Sequence, residues 1–423
     1  MPRRFARPAI EEPWQRTLYI AFFGQMVSAA GFSIISPFLP LYVETLGTHT
    51  GLSLEFWAGM AISSQAITMM IASPMWGALS DRHGRKIMLE RAMFGGAIVL
   101  VLMAFVRSAE ELVLLRAIQG LITGTIAAAN ALVAAEAPRE RMGYAMGLLQ
   151  VGIWGGVAVG PLLGGLLADA WGFRMPFLVT GALLFLSGIL IWRGIHERFK
   201  PASAHRFQPV GLLTEWRHTL SLPGVGITYT VRFLTGVGQT LIQPVAPLFI
   251  QSLLPPGARV GTVTGLVAGM VAAASVGSAV YLARLGDRIG QRRVLRASLL
   301  GAAIFYFPQT FVTDVWQLLI LQILTGVAIG GVTPTLSALL GRYARAGEEG
   351  AIYGLDNSIS SAARAAAPLL GASIAAWFYL RSTFIASGAA FLVATVLASA
   401  WLPDRSPDTG SVAAPAAVVP CFR

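Results

Sequence analysis

The chain is a succession of apolar blocks, each about twenty residues long, parted by short polar stretches. The blocks fall at roughly 17–42, 54–78, 87–106, 112–135, 143–168, 175–194, 223–251, 261–283, 293–312, 315–340, 350–376 and 382–402. At 1.5 Å per residue, each is long enough to cross a hydrocarbon core ~30 Å thick. Twelve blocks predict twelve transmembrane helices, and an even number returns both termini to one side.

The second half of the pattern repeats the first at an offset of 206 or 207 residues, and the repeat is written in helix-breaking residues. Gly31, Pro37, Pro40 and Leu41 reappear as Gly238, Pro244, Pro247 and Leu248. Leu79, Asp81, Arg82 and Gly84 reappear as Leu285, Asp287, Arg288 and Gly290. Farther on, Gly120 and Gly124 match Gly326 and Gly330, and Pro161 to Gly164 matches Pro368 to Gly371. The fold class expected is therefore an all-α membrane protein, twelve transmembrane helices in two pseudo-symmetric six-helix bundles with a cleft between them. The division runs 1–194 for the first bundle, 195–222 for a polar linker, 223–402 for the second bundle and 403–423 for a disordered tail.

Composition agrees and removes several function classes. Hydrophobic residues make up 55% of the chain and charged residues 12%, too few charges for a soluble domain of this size. The charge balance is strongly basic, 31 Lys+Arg against 20 Asp+Glu, which by itself suggests nucleic acid. Placement argues otherwise. Of the 31, 24 lie in the termini, the even-numbered loops or the helix ends beside them, and only Arg107, Arg174, Arg259 and Arg381 lie in odd-numbered loops. This is the positive-inside asymmetry, so both termini are expected in the cytoplasm, with no nucleic-acid partner. The first apolar block is too long for a cleavable signal and continues into a full span. The only cysteine is Cys421, all five histidines lie in loops, and neither Lys86 nor Lys200 sits in a phosphate-binding loop. No cofactor or metal is expected, and any work must draw on a gradient or a partner.

Three stretches carry chemistry. Between blocks two and three, Gly77, Asp81, Arg82, Gly84, Arg85 and Lys86 make a tight turn with an acid at a helix end and a cationic cluster. Asp81 can meet the N-terminal dipole of a neighbouring helix and Arg85 can pair with Glu136, latching the bundles in one state. A weaker copy surrounds Asp287, Arg288 and Gly290. In block four, Arg116 is an intramembrane arginine, costing ~2.5–3.5 kcal/mol on insertion scales. In block five, Gly152, Gly156, Gly160 and Gly164 recur every fourth residue with Pro161 and Gly165 beside them, a groove for close helix approach. Its second-half counterpart, Ile359, Ala363, Ala367 and Gly371, is poorer.

These motifs resemble those of the major facilitator superfamily. The G-x-L-x-D-R-x-G-R-K loop is similar to that family's signature. Leu115-Arg116-x-x-Gln119-Gly120 resembles its buried-arginine motif, and the block-five run resembles the motif of its drug:proton antiporter branch. The resemblance spans the whole chain. It implies that Arg116 handles protons and that the block-five groove seals the cavity against proton leak. A structural hydrogen bond from Arg116 to the block-five backbone is the plainer alternative.

Arg232, Arg364 and Asp356 are also intramembrane, and Asn357, Ser361 and Arg364 form a polar stripe on block eleven. Gln25, Gln65, Asn130, Gln150, Gln239 and Gln243 complete the candidate cavity lining. Block one lacks the carboxylate that several such antiporters carry, which leaves Asp356 as the intramembrane acid for proton coupling. Two arginines against one acid favour anionic, zwitterionic or neutral amphiphiles over lipophilic cations. The expectation is a non-enzymatic, proton-coupled exporter of small amphipathic compounds in the inner membrane, complete as a monomer. A facilitator for one metabolite, such as a sugar or siderophore, and a non-transporting sensor on the same scaffold stay open.

Overall fold

The computed structural model describes residues 13–136, 138, 141–195, 197, 224–343 and 349–402. Most of the linker and the tail from 403 lie outside the described residues. The described helices assemble into twelve spans. The first runs Pro13–Ile35, tightens into a 3-10 turn at Ser36–Phe38 and resumes as Leu39–Leu46, because Pro37 and Pro40 lack the N–H that continues the ladder. The second is Leu54–His83, the third Arg85–Met103, and the fourth is split into Ala109–Ile122 and Thr125–Glu136. The fifth, Met142–Trp171, and sixth, Met175–Gly194, close the first bundle. The seventh span repeats the break of the first: Val225–Thr240 and Ala246–Leu253 flank a turn at 241–245 beside Pro244 and Pro247. Then come Val260–Ile289, Gln291–Gln309, the split tenth span Val315–Gly330 and Val332–Tyr343, Glu349–Trp377 and Ser382–Ala400.

Seven of the twelve satisfy a bare criterion of length and apolarity among the described residues. The second, third, fourth, seventh and ninth do not. The third and ninth open with basic residues, and the fourth and seventh are interrupted, at Gly124 (φ 147°) and at the 241–245 turn.

The repeat extends to helix ends. Ser108 Oγ accepts the N–H of Glu111 at 3.3 Å while Glu111 accepts that of Arg107 at 2.8 Å, a reciprocal N-terminal cap. At offset 206, Asp314 accepts from Trp316 at 2.7 Å and Gln317 from Thr313 at 3.2 Å. The turns after the second and eighth spans use Gly84 and Gly290 at φ 100° and 102°, a region closed to side chains with a Cβ. Each bundle has its own core. One is built around Leu89, Met93, Leu100, Met103 and Leu112, the other around Leu295, Leu299, Phe249, Phe384 and Phe391.

The bundles meet at the side opposite the termini, here the far side. Span five runs toward it and span eight away from it. At the far end Gly261 backs onto the Gly165 carbonyl and Gly265 onto that of Pro161; lower down, a Cβ on Gly269 stands 3.5 Å from the Ala158 carbonyl, and Gly277 has nothing within 4 Å. The two helices therefore diverge toward the termini side. Spans two and eleven repeat the contact: a Cβ on Gly59 would meet the Pro368 carbonyl at 2.9 Å and Ala372 at 2.8 Å. Gly59 and Gly265 are repeat partners, as are Pro161 and Pro368, so the far-side seal contains two equivalent contacts, glycine against a proline carbonyl.

Candidate functional site

The signature residues lie on the termini-side turns. Glu197 accepts the N–H groups of Arg85 and Lys86 at 3.0 and 2.9 Å, capping the third span. Lys86 donates to the Trp192 carbonyl at 2.9 Å and pairs with Glu90 at 3.4 Å. Its repeat partner Arg292 donates to the carbonyl of Ser399 at 2.7 Å, the repeat partner of Trp192. In each bundle a cation thus closes the negative carbonyl end of the last helix. Asp287 accepts from Gln291 at 2.9 Å, and Arg288 is exposed. The expected Arg85–Glu136 pair is not formed: the described ion pairs are Lys86–Glu90 and Arg232–Asp356, each within one bundle. Both residues belong to the first bundle, so the parting of the bundles on this side is not what separates them. The side chains of Asp81 and Arg82, and the surroundings of Gly77, lie outside the described residues.

The span-five groove is filled by span one. Gly152 faces Phe22, Gly156 the Met26 carbonyl and Gly164 the Ile34 carbonyl, and a Cβ on Gly160 would stand 2.6 Å from both the Ala30 carbonyl and Ser33. These are contacts between backbones, so nothing larger than hydrogen fits. Pro161 supplies no N–H to the carbonyl of Val157, four residues back, and Ser33 Oγ takes that acceptor at 3.0 Å. Gly165 faces the other way, onto span eight. One helix therefore packs inside its bundle with one face and seals the far side with another. In the second half Gly371 meets the Leu241 carbonyl, while Ala363 and Ala367 pack against Val237 and Leu241 side chains.

The charged centre belongs to the second bundle. Arg232 Nη2 donates to Asp356 Oδ2 at 3.1 Å; its Nε lies 3.1 Å from Oδ1 but is aligned on Ser360 Oγ, also at 3.1 Å. Asp356 is 7% exposed, and Oδ1 accepts no hydrogen bond among the described residues. A buried ion pair is held by the loss that breaking it would bring, because each charge alone is poorly solvated. Tyr229 fixes the geometry by donating to the Ile352 carbonyl at 2.8 Å, tying span seven to span eleven. Two turns beyond Asp356, Arg364 is exposed, donates to Ser361 Oγ at 3.2 Å and lies close enough to Arg232 for the two cations to repel. Asp356 neutralises one arginine and leaves one positive charge over.

Other expected lining groups divide. Gln150, Gln243 and Asn357 are exposed, and Gln65, Asn130 and Gln239 half-buried. Gln25 is 1% exposed, so it is a packing group and presents no surface to a cavity. Arg116 also turns inward. It is buried, with Nε on the Ala61 carbonyl at 2.9 Å and Nη1 on Gln119 Oε1 at 2.7 Å. Its partner backbone belongs to span two, not span five, and no carboxylate is paired with it among the described residues. In the second half Gln322, its repeat partner, joins Gln309 at 3.0 Å, which in turn donates to Thr325, the repeat partner of Gln119. Sequence reasoning missed Ser33, Glu197, Ser360 and Asp169. The first three had only hydroxyl or acid character in polar or small-residue surroundings to mark them. Asp169 accepts backbone N–H groups of span eight.

Comparison with known proteins follows the same outline. The chain is 36% identical over 383 residues to "Multidrug resistance protein MdtG" of Dickeya zeae, covering 90% of this chain and 93% of that one. It is 35% identical over 407 residues to the MdtG of Enterobacter lignolyticus, covering 95% of each. Among solved structures it resembles an inward-facing, unoccupied bacterial homologue of the human lysosomal transporter Spinster (TM-score 0.77, 14% identity, 93% of this chain and 99% of that one). It also resembles a variant of the nucleoside transporter NupG (TM-score 0.78, 12% identity, 92% and 100%). At these identities the solved structures speak for the fold alone. The sequence model of the Major Facilitator Superfamily matches residues 21–254 and again 228–420. With both halves matched and the repeat visible down to the helix caps, this chain belongs to the major facilitator superfamily.

Proposed function

We propose that this protein is a proton-coupled exporter of small amphipathic compounds that works by alternating access. Full-length similarity to proteins named for multidrug resistance supports the substrate class. The observation that carries the mechanism is the Arg232–Asp356 pair, one buried carboxylate with an unused acceptor beside an unneutralised Arg364. Basic residues gather on the termini side, so that side is taken as cytoplasmic and the conformation described as inward-open. The signature loop with Asp81 would engage when that side closes. The working unit is one chain, with both bundles and the cleft between them.

The sign of coupling follows from what the substrate puts on Asp356. A group that donates to the carboxylate, or a cationic end placed there, excludes the proton, and mutual exclusion gives exchange. A bare anion on Arg364 does the reverse, because negative charge nearby favours protonated Asp356 and hence joint binding. Exchange is therefore expected for neutral or zwitterionic amphiphiles with a donor for Asp356 and an acceptor for Arg364. The test is a drug-sensitive bacterial host with and without the gene, challenged with neutral, zwitterionic, anionic and cationic compounds, followed by efflux from proteoliposomes under an imposed pH gradient. Efflux indifferent to the gradient removes the reading, and protection confined to lipophilic cations removes the preference for neutral and zwitterionic substrates.

A further inference from the structure

The far-side seal is locked on one of its two equivalent contacts. Near the far end of span five, Asp169 Oδ1 accepts the N–H of Gly261 at 2.9 Å and Oδ2 accepts that of Thr262 at 2.5 Å. Both donors lie in the first turn of span eight, where N–H groups have no partner within the helix and the dipole is positive. A carboxylate of one bundle thus caps a helix of the other. Arg259, just ahead of that turn, does not pair with Asp169, so the acid is committed to the backbone. The contact sits on the bare stretch where Gly165 meets Gly261 and Pro161 meets Gly265.

The equivalent contact lacks this device. The repeat partner of Asp169 is Ala376, and the first turn of span two is capped by its own Ser53, which accepts the N–H of Phe56 at 3.2 Å. Among the described residues no hydrogen bond like these is seen between spans two and eleven, whereas spans five and eight add two charge-assisted hydrogen bonds to their packing, each worth roughly twice a neutral one.

We infer that Asp169 is a gating residue: its carboxylate holds the far side shut and must release span eight before that side opens. The inference rests on the alternating-access reading given above. It is tested on the full chain in a Cys421→Ser background, with spin labels at Leu52→Cys and Pro256→Cys, loop positions on the far side of opposite bundles. Distances between the labels report opening directly, without any substrate. Asp169→Ala is expected to raise the long-distance population several-fold. Asp169→Asn keeps one acceptor and is expected to fall between the two. Asp169→Asn also serves if the alanine variant does not fold. Distance distributions unchanged in both variants would overturn the inference. Normal gating in these variants' parent with no pH-driven efflux would instead count against the proposed function, so the two failures are separable.

Discussion

The two bundles agree at their edges and disagree at their centres. Helix caps, the glycine turns, the cation on the last carbonyl end and the glycine-on-proline seal all recur at 206 or 207 residues. At the centre, Arg232 and Arg364 stand where the first half has Gln25 and Val157, and the first half packs span one into a full glycine groove that the second half has partly filled. Positions that every six-helix bundle needs stayed paired, whereas those that do different work in the two halves drifted apart. The first bundle holds its buried arginine, Arg116, on a carbonyl and an amide, and the second carries the ion pair and the uncompensated Arg364.

The largest effect is expected from Asp356→Asn. Efflux driven by a pH gradient in proteoliposomes is expected to fall to background while a neutral substrate still binds. Undiminished pH-driven efflux would move the coupling away from the second bundle. Next comes the groove. Gly160→Leu forces a side chain onto the Ala30 carbonyl and is expected to abolish folded protein in the membrane. Ala367→Leu presses on the side chains of Val237 and Leu241, which can shift, so a loss of about 1–3 kcal/mol is expected, read as a lowered melting temperature in detergent. Equal damage at both sites would mean the asymmetry is only one of sequence.

Smaller effects are expected at two other arginines. Arg364→Gln is expected to weaken binding of a carboxylate-bearing substrate about tenfold, ~1.4 kcal/mol, and to spare neutral ones. Uniform weakening would make Arg364 a packing residue. Arg116→Gln copies what the second half does with Gln322, so the pH-driven rate is expected to change least of all. A complete loss in that variant, with normal expression, would return Arg116 to proton handling.

The sequence announced what repeats and what is apolar. Twelve spans, the break at Pro37 and Pro40, the turn at Gly84 and the groove on span five are all written in residue types whose backbone consequences are local. Partnerships were harder. Opposite charges at Arg85 and Glu136 suggest an ion pair, yet the two stand in one bundle without forming it, and Glu197 takes the backbone N–H of Arg85 instead. For Arg116 the structural alternative points to the span-five backbone, and its partners are the Ala61 carbonyl of span two and Gln119. Asp169 escaped notice for the same reason: a backbone N–H of a helix 92 residues away leaves no letter in the sequence. Side chains advertise themselves, but the main-chain groups that receive them do not.

The bareness of the far-side seal bears on speed. Interdigitated side chains must be pulled out of one another's pockets before two helices can separate, and each must find its rotamer again on closing. Where Gly59 and Gly265 rest on the carbonyls of Pro368 and Pro161, there are no teeth to disengage. Separation there is the parting of two smooth surfaces, with little rotameric order to lose or recover. A transporter that must open and close once for every molecule it moves gains a low kinetic barrier from that smoothness. It is left to a single carboxylate to keep such an easy door from drifting open.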